Sequence, residues 1–354
     1  MGATPLSLLY PREDCEEEAR ELLEKWQAAG LGPRSLADAR EAIGRERDFD
    51  TWTHLIEWVE AVGRADDPVA RFESAVEAVV AGDEAELGRL LRGNPALVHV
   101  RSTRTPHFEA PVHRATLLHY VAANGVERSR QKTPKNAVAI ATILLDAGAE
   151  VDALAAMYGE EATTMNMLVS SDHPALAGVE VGLVETLLDH GAAVDGPAAC
   201  ASTPLFTALA FGHSEAAEVL ARRGARIDTL ATAAGLGRRD RAAALLPSAA
   251  AEERHRALAL AAQHGHSEIV RMLLDAGEDP DRYNPPGNHP HSTPLHQAAL
   301  GGHLPVVQLL VDRGAHLDRR DKVYQGTPLG WAKHGGRNEV AAYLRSRETG
   351  PKVD

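Results

Sequence analysis

Seventeen histidines in 354 residues, against two cysteines, put imidazole chemistry first among what this sequence could do. His289 and His291 flank Pro290, and in an extended segment alternation turns both rings to one face. Two such rings could ligate a divalent metal if His264, His334 or an acid completed the set. Neither a thiolate pair nor a His-Glu-x-x-His helix supports that site, so no metal is assigned; a small-molecule or peptide contact fits this finger better than a metal, against the plainer reading of a Pro-rich turn with polar tips. Ser170, Ser171, Asp172 and His173, preceded by Tyr158, Glu160 and Glu161, collect hydroxyls, acids and a base. A triad is defined by hydrogen-bond geometry, however, and Ser171 lacks a Gly-x-Ser-x-Gly elbow; the plainer reading has Ser171 or Asp172 ending a helix and His173-Pro174 starting a loop. Arg128, Arg130, Gln131, Lys132 and Lys135 form a basic insertion that could dock a carboxylate-bearing partner, against the alternative of a solvated loop.

The elements that would position these groups recur along the chain. Thr293-Pro294-Leu295-His296 is followed by Gly302-His303 and Gly314-Ala315; the opening returns 34 residues later as Thr327-Pro328-Leu329-Gly330. It also occurs earlier as Thr203-Pro204-Leu205-Phe206, with Gly212-His213 and Gly224-Ala225. Further copies open at Thr116 and Thr163, worn ones lie near Asp228 and Arg256, and a divergent first unit runs from Phe72 with a second helix at Glu84 to Leu91. The glycines after Leu-Leu helix ends suit left-handed caps. Thr203 to Gly224 and Thr293 to Gly314 span 21 residues, but Thr116 to Gly148 spans 32 and Thr163 to Gly191 spans 28. Those two units therefore carry insertions, Val126 to Lys135 and Asp172 to Gly178, expected as loops. The fifth unit is short, its second helix ending at Pro247, and the finger Tyr283 to His291 is long.

Ahead of the repeats, helices are expected over Cys15 to Ala29, over Leu36 to Arg47 capped by Ser35, and from Thr51, where Trp52, Leu55, Ile56 and Val59 keep helical spacing. Gly63 to Pro68 reads as a linker. The expected division is a capping helical block at 1–66, a repeat array at 67–349 and a tail at 350–354.

A period near 33 residues with Thr-Pro-Leu-His opening a helix resembles the ankyrin repeat over residues 116–347. Phe49-Asp50-Thr51-Trp52, the stretch from His119 to Gly125, Gln131 to Asn136, Met157 to Gly159, Ser170 to Pro174 and Tyr324 to Trp331 further resemble bacterial single-chain ankyrin-repeat proteins with an N-terminal helical block. The resemblance implies an all-α solenoid of about eight helix-turn-helix units with hairpin fingers, and a surface for binding rather than a pocket for chemistry. It implies no single activity.

In such a stack the concave groove is built from the finger tips and the ends of the first helices. Aligned on that frame, the candidate contacts are Asn124, Ser171, Phe211, His264 and His334 at helix ends, with Tyr158, Glu160, His173, His289, His291, Tyr324 and Trp331 from fingers and neighbouring positions. Helices 8–10 Å apart would set His264 and His334 roughly 20 Å apart, facing each other with the His289 finger between. His119 and His296, in the fourth place of the opening motif, and His213, His266 and His303, in the Gly-His pair, are expected to serve packing. The expected occupant is a protein or peptide; the alternative is a small ligand, or catalysis by a polar His/Tyr/Trp cluster. No cofactor is expected. A formal net charge of −13 opposes a phosphate backbone, whose affinity comes from Lys and Arg displacing counterions. No stretch reaches the apolar length of a membrane span, and Met1 to Leu9 lacks the basic start of a leader. Two cysteines suit a reducing compartment, so the expected location is the cytoplasm.

Overall fold

A computed structural model describes residues 12–104 and 113–348. The tail at 350–354 lies outside the described residues, as do Met1 to Leu9 and His107. The chain divides into two compact units, 1–203 and 204–354, and apart from one two-stranded hairpin the described residues are helices and turns.

Unit 1 opens with α1 (Arg12–Ala28), α2 (Leu36–Glu46) and α3 (Trp52–Val62). Ser35 and Asp38 form a reciprocal capping box at the start of α2, and the Thr51 hydroxyl accepts from the His54 amide at the start of α3. Leu55, Ile56 and Val59 turn inward as their spacing requires and meet Cys15, Ala19, Ile43 and Phe49 in one apolar core. The helix α4 (Pro68–Ala81) follows, with Asp67 as its cap, Pro68 in its first turn and Gly82 left-handed at its end, and then α5 (Glu84–Gly93). The Thr116 unit replaces its first helix with a 3-10 turn, Leu117–Ala122, before α6 (Ala137–Asp146).

Strands β1 (Ala155–Met157) and β2 (Glu160–Ala162) pair antiparallel, with Met157 opposite Glu160. The two residues between them, Tyr158 and Gly159, both have positive φ, 54° and 77°, the requirement of a tight hairpin turn. Short α7 (Thr164–Leu168) leads to α8 (Asp172–Leu176) and α9 (Glu180–Asp189). The expected loop at Asp172 is therefore a helical turn. Pro174 falls within its first turn, where the missing N–H has no intrahelical partner to lose, and Asp172 suits the positive end of the helix.

Unit 2 is two layers of helices. Its first helices, α10 (Pro204–Phe211), α12 (Leu230–Gly235), α14 (Ala251–Gln263), α16 (Pro294–Gly301) and α18 (Pro328–His334), pack in succession. The second helices are α11 (Ser214–Arg222), α13 (Arg239–Leu245), α15 (Ser267–Asp275), α17 (Leu304–Asp312) and α19 (Asn338–Glu348). Of these, α13, α15, α17 and α19 form the parallel row. In the core between the layers the first helices contribute many alanines, including Ala257, Ala261, Ala298 and Ala332, and the second helices many larger residues, including Leu273, Val306, Leu310 and Leu344. Small residues on one layer let the helices approach closely, and the larger ones fill what remains. The short fifth unit ends in a 3-10 turn, Leu246–Ser248, around Pro247.

Successive units of this stack are tied by histidine. His266 Nε2–H donates to the carbonyl of Gly235 at 2.9 Å, and His303 Nε2–H donates to that of Gln263 at 2.9 Å, each reaching the end of the preceding unit's first helix. The glycine of each preceding unit makes room for the ring: a Cβ on Gly237 would lie 2.6 Å from His266, and one on Gly265 would lie 2.5 Å from His303. The opening motif works similarly. Thr293 Oγ1 hydrogen-bonds His296 Nδ1 at 2.8 Å, and His296 Nε2–H donates to the Gly326 carbonyl of the next finger at 3.2 Å.

Candidate functional site

The site with most to offer a partner lies in unit 2, where two fingers meet the ends of the first helices. One finger runs 283–292. Asn284 and Ser292 pair across it, N to O at 2.8 Å, and His289 sits left-handed with φ 50°. The second runs 321–326 and is organised by Asp321. One oxygen of this fully buried carboxylate accepts from the amides of Val323 (2.9 Å) and Tyr324 (2.6 Å), the other from the amide of Gly326 (2.8 Å) and from Trp331 Nε1 (3.0 Å). Burial raises its pKa, but the hydrogen bonds from Tyr324, Trp331, Val323 and Gly326 dominate and bring it down to about 2. The anion holds the loop so that Val323 and Tyr324 project outward, 61 % and 76 % exposed. The fingers are bonded to each other: Lys322 N donates to His291 O at 2.8 Å and Tyr283 Oη to Arg320 O at 2.6 Å.

Aromatic rings form a continuous strip along this junction. Phe211, 53 % exposed at the end of α10, meets His289 edge-on at 6.3 Å; His289 meets His291 at 6.0 Å; His291 meets Tyr324 at 6.0 Å and Trp331 at 5.8 Å. Trp331 in turn stands against His296 at 5.2 Å. Edge-to-face rings at these distances rigidify one another and offer apolar faces with polar edges. His289 is anchored by Nε2–H donating to the Ala210 carbonyl at 2.8 Å, and burial lowers its pKa, so the strip keeps this ring neutral. Beside it, Asn288 is buried with both side-chain amide atoms unpaired. Left-handed backbone at a non-glycine residue and an unmet amide mark the finger as a place where folding alone is not optimised.

The sequence candidates fall into separate groups. Phe211, His289, His291, Tyr324 and Trp331 come together in the strip. His264 has a different role from the one expected: its Nε2–H donates to the Leu209 carbonyl at 2.8 Å, and its Nδ1 accepts the Ser214 hydroxyl at 2.9 Å. Burial lowers its pKa to about 4, so it is a neutral strut, stacked 6.3 Å from His266, with both nitrogens occupied. His334 is exposed on α18.

Asn124, Tyr158 and Ser171 lie in unit 1. Tyr158 Oη–H donates to Asn124 Oδ1 at 2.6 Å, Asn124 Nδ2 donates to Ser170 Oγ at 2.9 Å, and Ser171 is buried with its hydroxyl donating to the Ala123 carbonyl at 3.3 Å. Glu160 and His173 are exposed. Ser171 is thus committed to backbone, while His173 is exposed. Among the described residues no group of three or more His, Cys, Asp or Glu could hold a metal ion.

The basic insertion is corrected by the structure. Arg130 is buried and its guanidinium lies 2.6 Å from Glu73, 2.8 Å from Glu77 and 3.8 Å from Glu127, while Arg128 pairs with Asp48 at 3.3 Å. The two arginines face the protein's own acids. Glu127 is fully buried; burial alone would raise its pKa, but Arg104 at 3.2 Å, the His113 ring at 3.3 Å and Arg130 hold it well below the usual carboxylate range. Arg104 also lies over the Phe49 and Trp58 rings, 4.2 and 5.1 Å from their centroids. A cavity of about 730 Å³, with Phe49, Trp58, Glu77, Arg104 and Arg130 in its wall, opens beside this cluster.

Neither Asp321 nor the Glu127 cluster was singled out from sequence. Asp321 had a signal, an Asp shortly before a Gly in Asp321-Lys-Val-Tyr-Gln-Gly326, the mark of a side chain capping its own turn. Glu73, placed between Phe72 and Val76 on an apolar helix face, was the signal for Arg130.

Residues 258–354 match the family model for ankyrin repeats, three copies. No curated protein matches the chain. Among solved structures the chain is similar to the ankyrin repeat domain in the crystal structure of human ASB11, at 24 % identity, covering 78 % of this chain and 98 % of that one, with a TM-score of 0.37. No helix among the described residues is long and apolar enough to cross a membrane.

Proposed function

We propose that the chain, whose residues 258–354 match the ankyrin repeat family and whose repeats are of a kind that generally serves protein interaction, is a scaffold that binds a protein or peptide partner along the strip from Phe211 to Trp331. The observation that carries this reading is the pair of exposed large apolar side chains, Tyr324 and Phe211, held at the two ends of a ring array by interactions of the protein itself. Tyr and Trp in such positions supply rigid contact area at low entropic cost. In this reading residues 1–66 cap the repeat array at 67–349, and the cysteines, both free, suit a cytoplasmic setting.

The test compares the full-length protein with F211A/Y324A. Both side chains are more than half exposed, so the variant should keep its thermal midpoint. Crosslinked pull-downs from the source cell should recover at least one protein with the wild type that the variant loses. Identical recoveries from the two baits count against the strip as the binding surface.

A further inference from the structure

The acidic balance of the whole chain hides a partition. Residues 1–203 carry 33 Asp and Glu against 18 Lys and Arg, whereas residues 204–354 carry 17 against 19. Around the aromatic strip the imbalance is sharper still, because the acids there mostly face inward. Glu278 pairs with Arg254 at 2.8 Å, Asp281 with Arg319 and with His316 at 2.7 Å, and Asp321 is enclosed by its own finger. Of the acids leading into the two fingers, Asp279 and Asp318 stay exposed.

The cations, by contrast, face out. Arg320, Lys322, Lys333 and Arg337 are exposed and form no ion pair among the described residues. Lys322 is adjacent to the strip through its backbone bond to His291, with its ammonium 4.1 Å from the Tyr283 ring centroid; Lys333 follows Trp331 by two residues on α18. Arg320 is fixed by donation to the Gln325 carbonyl at 2.7 Å and Arg337 by donation to that of Leu300 at 2.8 Å, so neither needs a partner to be ordered. An array of aromatic rings bordered by exposed cations without ion-pair partners among the described residues is complementary to apolar side chains interleaved with carboxylates.

We infer that the strip takes an acidic segment of a protein partner: an extended stretch in which Asp or Glu flank an aromatic or aliphatic anchor. This rests on the reading of the strip as the binding surface. The rings contribute most of the affinity, and the cations contribute selection and speed of encounter, since exposed ion pairs add little each and weaken with salt. A phosphate backbone offers the same charge, but the formal net charge of −13 on the chain as a whole opposes a long polyanion.

The experiment is to pan a random peptide display library on the immobilised full-length protein and measure the enriched peptides by fluorescence anisotropy. Enrichment of Asp and Glu around an aromatic or leucine, an affinity about tenfold weaker for K322E/K333E at unchanged thermal midpoint, and weakening with added salt support the inference. Enriched peptides that are neutral or basic, yet are lost by F211A/Y324A, overturn the acidic preference and leave the binding surface standing. Peptides that bind F211A/Y324A as well as the wild type overturn both. A single-stranded oligonucleotide that binds more tightly than every enriched peptide overturns the inference in favour of a nucleic acid.

Discussion

Arg130 shows how far a single residue's meaning depends on what it faces. In sequence it belongs to a basic loop; in the fold it is buried among Glu73, Glu77 and Glu127, with Tyr120 5.9 Å from its guanidinium. Removing one member of a buried ion cluster leaves the others uncompensated in a low-dielectric interior, which costs more than the cluster gained over water. R130A should therefore destabilise unit 1 by about 3–5 kcal/mol, read as a drop in the midpoint of urea denaturation followed by circular dichroism. An equally stable R130A would show that the acids are reached by water. The misreading has a physical source. Periodicity reports which face of a helix is apolar, whereas a long cation in an irregular segment can reach in any direction, and the two acids nearest Arg130 are 53 and 57 positions earlier.

At the level of elements, sequence reading succeeded where the pattern is repetitive. The first helices opening at Pro204, Pro294 and Pro328 and the glycine ends of the second helices follow from proline in a first turn and from left-handed caps. It failed where an element is short. The 3-10 turn at Leu117 and the helix at Asp172 are single turns whose choice is made by neighbours rather than by propensity. The joint between units can be tested directly. Gly265 has φ 80° and the His303 ring in the space a methyl would take, whereas Gly277, at φ 92°, has nothing within 4 Å. Both Gly265→Ala and Gly277→Ala incur the left-handed penalty of about 1–2 kcal/mol. Gly265→Ala should lose roughly 1–2 kcal/mol more, because His303 must leave the Gln263 carbonyl. Equal thermal shifts for the two variants would mean the histidine tie contributes nothing.

Taken over the whole molecule, buried imidazoles set how stability depends on acid. Burial lowers the pKa of His119 and His264 to about 4 and also lowers those of His255, His266, His289, His296 and His303. Below the unfolded value of 6.5 the unfolded chain binds more protons than the folded one, so stability is lost as pH falls from about 6.5 toward 4. His190 and His316, whose pKa values are raised by the Thr186 carbonyl and by Asp281, act in the opposite sense, but they are outnumbered. Denaturation midpoints should fall between about pH 7.5 and pH 5, well above the range where carboxylates titrate. A flat profile would mean these rings are solvated in the folded state. The histidine ties also define what can be exchanged. Because the rings of His266 and His303 each grip a carbonyl in the preceding unit, a segment cut from one of these Gly-His pairs to the next carries half of two joints and completes both wherever another such pair receives it. Length in this chain is therefore heritable in whole modules, and the strip can be moved, duplicated or lost by splicing at those pairs without redesigning the layers that support it.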